Sequence, residues 1–118
     1  MKYLCLIYDE EKKMSGMSKA ESDAFMGEYM TFTNDVRQSG HFVAGEALHP
    51  VHTATTVRVR NGKVSTTDGP FAETKEQLGG FYLIEAKDLN EAIQVASRIP
   101  SARTGSIEVR PIVDYGHP

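Results

Sequence analysis

Ionisable side chains cluster in one short stretch of the chain, between residues 68 and 76. Asp68 precedes a Gly69–Pro70 pair, and Glu73, Lys75 and Glu76 follow closely. A free carboxylate at Asp68, placed at the rim of a cleft, could act as a general base or hold a substrate hydroxyl. A carboxylate and an ammonium group at the mouth of that cleft could bind a polar substrate. Asp68 is therefore a candidate catalytic residue, and Glu73, Lys75 and Glu76 are candidate substrate-binding residues.

The same stretch also has a structural interpretation. A carboxylate before a Gly-Pro pair commonly accepts hydrogen bonds from amides two residues on, so Asp68 could simply fix a turn. Charge runs such as 73–76 are usually solvated. Gly79 and Gly80 predict a bulge or a close backbone approach at a strand start rather than a phosphate site, because no phosphate-loop pattern or following helix accompanies them.

Arg103 and Arg110 form a second candidate group. An arginine fork that projects into a pocket would hold a carboxylate or an enolate, which makes Arg110 a further candidate substrate-binding residue. Arg110 also alternates with the apolar neighbour Val109 and could equally be an exposed charge on a strand.

Three histidines raise the question of a metal. His49 and His52 lie three positions apart, with His41 and Glu46 nearby, and imidazole and carboxylate groups can bind divalent ions. Pro50, however, forces an extended path rather than a one-sided helical pair. We expect no metal and no cofactor, and the histidines have no assigned ligand.

Composition restricts the class of protein. The 118 residues fit one domain, residues 1–118, with a real but small core. A net charge of −3 without a Lys/Arg cluster argues against a nucleic-acid surface. The single cysteine, Cys5, lies between Leu4 and Leu6 and is expected to be a buried small hydrophobe in a reducing compartment. The apolar run near residue 5 fits neither a membrane span nor a signal peptide, so we expect a cytoplasmic protein.

Two capping signals predict amphipathic helices. Ser18 with Glu21 has the spacing of a capping box, and Gly40 is placed to end that helix. Asp88 with Glu91 repeats the arrangement before Pro100. The core positions of the first helix are Phe25, Tyr29, Phe32 and Val36. Those of the second helix are Leu89, Ala92, Ile93, Ala96 and Ile99.

The remaining apolar segments predict strands. They lie at residues 2–8, 41–48 and 80–86, and at a last strand carrying Ile107, Val109 and Val113. Asn61-Gly62 predicts a two-residue hairpin turn, with strands from about Thr55 to Thr67.

Without that hairpin, the element order is strand, helix, strand, strand, helix, strand. Two such split β-α-β units predict an α+β fold, a ferredoxin-like sandwich with one antiparallel sheet and two helices on one face. The other face of the sheet would remain uncovered. A homodimer that packs sheet against sheet would bury it and enclose a cleft.

The stretch "VRNGKVSTTDGPFAETKEQLGGFYLIEAKDLNEAIQVASRIP", with "SGHFVAGEAL" and "GSIEVRPI", resembles the DGPF branch of the YCII-related proteins over nearly the whole chain. The resemblance implies a dimeric α+β barrel. Some relatives are presumed enzymes, one of them dehydrochlorinase-like, and others are linked to extracytoplasmic-type sigma factors. The residues that match the branch are Asp68, Gly69, Pro70, Phe71, Glu73, Thr74, Lys75, Glu76, Gly79 and Gly80. A His-Asp pair suspected in some relatives, with its His on the first helix, cannot be carried over, since residues 18–40 contain no His.

Two functions are consistent with these patterns. The first is a small-molecule binder or enzyme that works in the sheet cleft by proton transfer, of isomerase or lyase type, on a small polar organic acid. The alternative is a non-catalytic dimeric regulatory module that binds a sigma factor.

Overall fold

The fold was derived from a computed structural model, which describes residues 1–116. The strands are β1 (Lys2–Asp9), β2 (Phe42–Ala47), β3 (Thr55–Arg60), β4 (Lys63–Asp68), β5 (Gln77–Glu85) and β6 (Ser106–Pro111). The helices are α1 (Glu11–Ser15), α2 (Lys19–Gln38) and α3 (Leu89–Ala96), with 3-10 turns at Val51–Thr53 and Pro100–Ala102. Four strands form an antiparallel sheet in the order β2-β5-β1-β6, and β3 pairs only with β4. This is the predicted ferredoxin-like α+β topology with an inserted hairpin.

The core lies between α2, α3 and one face of the sheet. Strand β1 alternates, so that Tyr3, Cys5 and Ile7 are buried towards the helices, as are Tyr82 and Ile84 on the paired strand β5. The ring of Phe32 on α2 meets the ring of Tyr82 edge-on, with centroids 5.1 Å apart. Cys5 is a buried free thiol, as predicted.

Helix α2 begins and ends as its sequence predicts. The Ser18 hydroxyl accepts from the Glu21 amide, and the Glu21 carboxylate accepts from the Ser18 amide, which completes the capping box. At the other end Gly40 adopts φ +81, and the amides of Gly40 and His41 bond back to Arg37 and Val36. These two hydrogen bonds require a left-handed backbone conformation at residue 40, which glycine adopts without steric cost.

The Gly79–Gly80 pair serves two backbone purposes. The pairing of β1 with β5 shifts register between Ile7 and Tyr8, so that Ile7 faces Gly80 and Tyr8 faces Leu78, which leaves Gly79 in a bulge. A Cβ on Gly80 would lie 2.8 Å from the Glu46 carbonyl oxygen of β2. The predicted bulge and close approach are both present.

Three details of the sequence prediction were wrong, and helix α1 is an element beyond those predicted. Helix α3 ends at Ala96 rather than near Pro100, and β6 ends before Val113, which is exposed. On α3 the buried residues are Ala92, Val95 and Ala96, and Ile99 just after the helix is also buried, while Leu89 and Ile93 are 48 % and 49 % exposed. Small alanines let the helix approach the sheet closely, so the stripe that contains them faces inward. Phe81 is half-buried on the sheet face away from the helices.

The face of the sheet opposite the helices, here called the open face, has no layer over it within residues 1–116. It carries the half-buried side chains of Leu4, Leu6, Tyr8, Phe81 and Leu83. The β3–β4 hairpin, here called the arm, turns at Asn61 and Gly62, which both have positive φ as predicted. Within residues 1–116, no helix is long and apolar enough to cross a membrane.

Candidate functional site

A cavity of about 590 Å³ lies between α2 and the helix-facing side of the sheet, where β1 ends and β2 pairs with β5. Such a volume suits a small organic ligand. One end is polar, and its side chains are Asp9, Tyr29, Thr33, Tyr82 and Ser101. The walls are mainly apolar and rich in methionine, with Arg37 and Glu46 as their charged members; the apolar residues include Met14, Met17, Phe25, Met26, Met30 and Phe42.

Asp9 is the buried acidic group of this cavity. It is the last residue of β1, and the strand's alternation directs it to the helix side after Tyr3, Cys5 and Ile7. Its Oδ2 accepts a hydrogen bond of 3.0 Å from the Thr104 hydroxyl. Its Oδ1 is shielded from solvent and has no hydrogen-bond partner within residues 1–116. A buried carboxylate oxygen left unpaired is costly, and such an atom at a cavity indicates a place for a ligand or a proton.

Gly105 permits the loop after Pro100–Ala102 to pack onto Asp9. A Cβ at this position would lie 2.0 Å from the Tyr8 carbonyl oxygen and 2.7 Å from Asp9 Oδ1. Any side chain there would push the loop, and with it Thr104, away from the carboxylate.

Two hydroxyl pairs complete the polar end. The Tyr29 hydroxyl lies 2.5 Å from the Ser101 hydroxyl, and the Tyr82 hydroxyl lies 2.6 Å from that of Thr33. Burial raises the pKa of Tyr29; the hydrogen bonds with Ser101 oppose this, and the nearby Tyr82 and Asp9 add to it. Tyr29 is therefore a neutral phenol at neutral pH. Whichever hydroxyl donates within a pair, one O–H of that pair remains free for a ligand.

The apolar wall comes from α1, the segment after it, and α2. Met14 and Met17 come from the former, while Met26 and Met30 are one turn apart on α2 and are 62 % and 63 % exposed although they line the cavity. Met26 and Met30 therefore form the edge of the opening, here called the mouth. Flexible, polarisable methionines adapt to ligands of varied shape.

The acidic and basic residues predicted from the sequence lie elsewhere. Asp68 ends the arm and is exposed, and its carboxylate makes no hydrogen bond or ion pair within residues 1–116; the Gly69 amide instead bonds to the Ala54 carbonyl. A turn-fixing bond from Asp68 is therefore not present. Lys75 approaches Glu10 at 3.9 Å, and Glu76 accepts from the Ser106 hydroxyl at 2.8 Å. Neither these residues nor the exposed Glu73 lines the cavity.

The two candidate arginines are separated. Arg110 lies on β6 at the open face, as the partner of Leu4, and its guanidinium pairs with Glu108. Arg103 holds both carboxylate oxygens of Glu28 at 2.8 and 3.0 Å. Neither lines the cavity, so the predicted arginine pair does not form one site.

The histidines do not converge either. His41 links two elements, with its Nδ1 2.7 Å from the Ser39 hydroxyl and its Nε2 3.2 Å from Glu91. His49 and His52 are exposed. In the part of the chain that the structure describes, no group of three or more His, Cys, Asp or Glu side chains could hold a metal ion.

Sequence reasoning missed Asp9, Tyr29 and Ser101 as site residues. The sequence pattern places Tyr29 in the core stripe of α2, and it ends the first strand at residue 8, before Asp9. The available signal was the odd-numbered position of Asp9. Residues 3, 5 and 7 of the same strand are apolar and face the core, so residue 9 is expected to face the same side. A carboxylate that continues this parity is unusual.

The family model for the YCII-related domain matches residues 1–115. The chain belongs to the YCII-related family. It is 39 % identical over 117 residues to an uncharacterized protein of Rhizobium meliloti (strain 1021), an alignment that covers 98 % of this chain and 94 % of that protein. Membership agrees with the topology above and leaves the activity open, since that relative is itself described as uncharacterized.

Proposed function

We propose that this YCII-related chain binds a small organic molecule in the cavity and transfers a proton within it. The ligand has an apolar or aromatic body that packs on the methionines, and an acidic hydroxyl or C–H group that faces Asp9. The reaction class is an isomerisation or an elimination, and it requires no redox cofactor. The observation that carries the proposal is Asp9, which lines the polar end of the cavity and has one carboxylate oxygen buried without a hydrogen-bond partner within residues 1–116.

Asp9 would act as the general base. Its carboxylate takes the proton, and the electron pair of the broken O–H or C–H bond stays on the ligand as a phenolate or an enolate. The free O–H of the Tyr29–Ser101 pair then donates a hydrogen bond to the developing anion. Donors of this kind stabilise charge most where water is excluded. Because the pKa of Tyr29 is raised, the phenol keeps its proton and remains a donor over the neutral range.

The test is a ligand screen that needs no known substrate. Thermal shift against a panel of small phenols and organic acids identifies compounds that stabilise the parent, and titration then gives their affinities. We expect Asp9→Asn to bind these compounds at least about tenfold more weakly, since hydrogen bonds to charged groups contribute about 1.5–3 kcal/mol. Tyr29→Phe should weaken the same compounds less. Circular dichroism of each variant without ligand checks that the fold is intact.

Asp68→Asn is the matched control, because it replaces a carboxylate by an amide in the same way, at the residue that the sequence analysis predicted to be catalytic. We expect it to bind every compound as the parent does. If Asp68→Asn loses binding and Asp9→Asn does not, the site is the 68–76 cluster, and the roles predicted for Glu73, Lys75 and Glu76 gain support. If no compound stabilises the parent, the proposal fails.

That last outcome would favour the second candidate function, a non-catalytic regulatory module that binds an extracytoplasmic-type sigma factor. Its support is the resemblance to the DGPF branch, which is carried by the residues Asp68 to Phe71.

A further inference from the structure

The arm extends away from the body of the chain. Within residues 1–116, its strands Thr55–Arg60 and Lys63–Asp68 pair with each other and with no other strand, and each spans about 20 Å at 3.3 Å per residue. The radius of gyration is 16.3 Å, whereas a compact chain of this length has about 13.5 Å. The protein measures 48 × 46 × 19 Å along its principal axes, consistent with a projecting element.

One face of the arm is apolar and uncovered. The register pairs Val57 with Thr66 and Val59 with Val64, so the three valines share a face. They are 61, 57 and 70 % exposed in order of sequence. A two-stranded hairpin is marginally stable in water unless a face packs on something. A regular ladder with three exposed valines therefore points to a contact outside the chain.

The charge of the arm identifies the kind of surface that it fits. The arm, residues 55–68, carries Arg58, Arg60 and Lys63 against one acidic residue, Asp68, a net charge of +2. The rest of the chain then has ten Lys and Arg residues against 15 Asp and Glu, a net charge of −5. The arm is thus basic and the remainder acidic, so arm and body attract each other when they belong to different copies.

The mouth offers an apolar surface on the acidic body. Met26 and Met30 are exposed at the edge of the cavity, on the side of α2 that also carries Arg37. Glu28 and Asp35 lie on the other side of the helix, near Arg103. Glu46, which also lines the cavity, is exposed and has no ion pair within residues 1–116.

We propose that the arm of a second copy of this chain packs its valine face on the mouth, over Met26 and Met30, and closes the cavity. The contact is reciprocal in a two-fold dimer, so each copy supplies a wall that the other lacks. Arg58 and Arg60 lie on the opposite face of the arm, so the attraction between the basic arm and the acidic remainder of the other copy acts at long range, and the contact itself is apolar. This inference concerns the interface and does not require that a ligand binds.

Disulfide trapping tests the contact directly, because the natural thiol, Cys5, is fully buried. Val59→Cys and Met30→Cys are made as separate single variants, one of them with a longer tag, and the two are co-expressed. Mild oxidation should give a covalent heterodimer of intermediate mass on a non-reducing gel. A bond within one chain is impossible, since each chain carries one accessible thiol.

The matched control is Arg58→Cys with Met30→Cys, in which the thiol is moved by one residue to the other face of the arm. We expect roughly tenfold less heterodimer, because a disulfide requires Cα atoms within about 7 Å and converging side chains. A monomer mass for the untreated parent by light scattering would overturn the proposal. Equal trapping by the two arm variants, or trapping of Val59→Cys by Leu6→Cys on the open face in preference to Met30→Cys, would also overturn it. Because no ligand is present, failure of the ligand screen leaves this result intact.

Discussion

At the scale of single residues, Asp9 and its neighbours differ from the surface carboxylates in what surrounds them. Asp68 and Glu73 are exposed, so water can hydrogen-bond to their carboxylate oxygens. Asp9 has one oxygen held by Thr104 and one shielded and unpaired, beside hydroxyl pairs that are themselves buried. A proton or a hydrogen bond delivered to that oxygen therefore changes the energy of the site appreciably.

Cys5 gives a prediction about pH. Burial raises the pKa of its thiol from 9.0 to about 11. The folded chain therefore keeps a proton that the unfolded chain loses, so stability is complete below pH 9 and falls as the pH rises towards 11. Urea unfolding at pH 8 and pH 10.5 should show that the parent loses on the order of 2 kcal/mol more across this interval than Cys5→Ala. Equal losses for the two proteins would contradict the assignment.

At the scale of elements, helix α2 serves both the core and the cavity. Phe32 and Val36 are buried against the sheet, while Tyr29 and Thr33 carry the hydroxyls at the polar end, and Met26 and Met30 form the mouth. A single 20-residue helix thus fixes the distance between the polar end of the cavity and its opening.

The Gly79–Gly80 pair gives a prediction about strand packing. Gly80→Ala should destabilise the fold by about 1–3 kcal/mol, since its Cβ would meet the backbone of β2 and no rotamer can relieve that contact. Gly79→Ala is the control, because no atom lies within 4 Å of its Cβ position, and it should change stability by less than about 0.5 kcal/mol. Urea unfolding of both variants provides the measurement. A larger loss for Gly79→Ala would show that the bulge itself demands glycine.

Core substitutions distinguish the two apolar stripes of the helices. Phe32→Ala and Ile99→Ala should each cost about 2–5 kcal/mol, because both side chains are buried and leave a cavity. Ile93→Ala should cost less than about 1 kcal/mol, because that side chain is half exposed. Urea unfolding of the three variants provides the measurement. If Ile93→Ala lowers the free energy of unfolding as much as Ile99→Ala does, Ile93 is a core residue, as its helical spacing predicts.

At the scale of the whole molecule, two apolar surfaces remain without a partner within residues 1–116, the open face and the valine face of the arm. Both are explained if the chain is a homodimer, which we propose. Sheet faces normally need a second layer, and a lone antiparallel sheet covered by helices on one side leaves the other to water or to a partner.

Light scattering at micromolar concentration tests the dimer. The parent should have twice the mass of one 13.0 kDa chain. Leu6→Lys places a charge in the middle of the open face and should shift the protein towards the monomer, whereas Gln94→Lys on the exposed side of α3 should not. A parent that scatters as a monomer would refute the dimer.

The sequence by itself determined the elements and their order, because the signals that set them are local. Capping residues at Ser18 and Asp88, Gly40, the Asn61-Gly62 turn and period-two alternation act over a few positions, and each is where the sequence predicts it. Those elements in that order leave few ways to form a sheet, so the ferredoxin-like topology followed.

Only the tertiary structure decided which residues meet. Tyr29 and Ser101 are 72 residues apart, and Asp9 and Thr104 are 95 apart, so no local pattern can join them. The charged residues of 68–76 are adjacent in sequence, but their segment lies on the surface, so they face solvent rather than the cavity. Helical periodicity placed both Ile93 and Ile99 in the core, and only Ile99 is buried, because burial depends on how closely α3 approaches the sheet. Burial and long-range contact, which give a carboxylate its chemistry, are properties of the packed molecule.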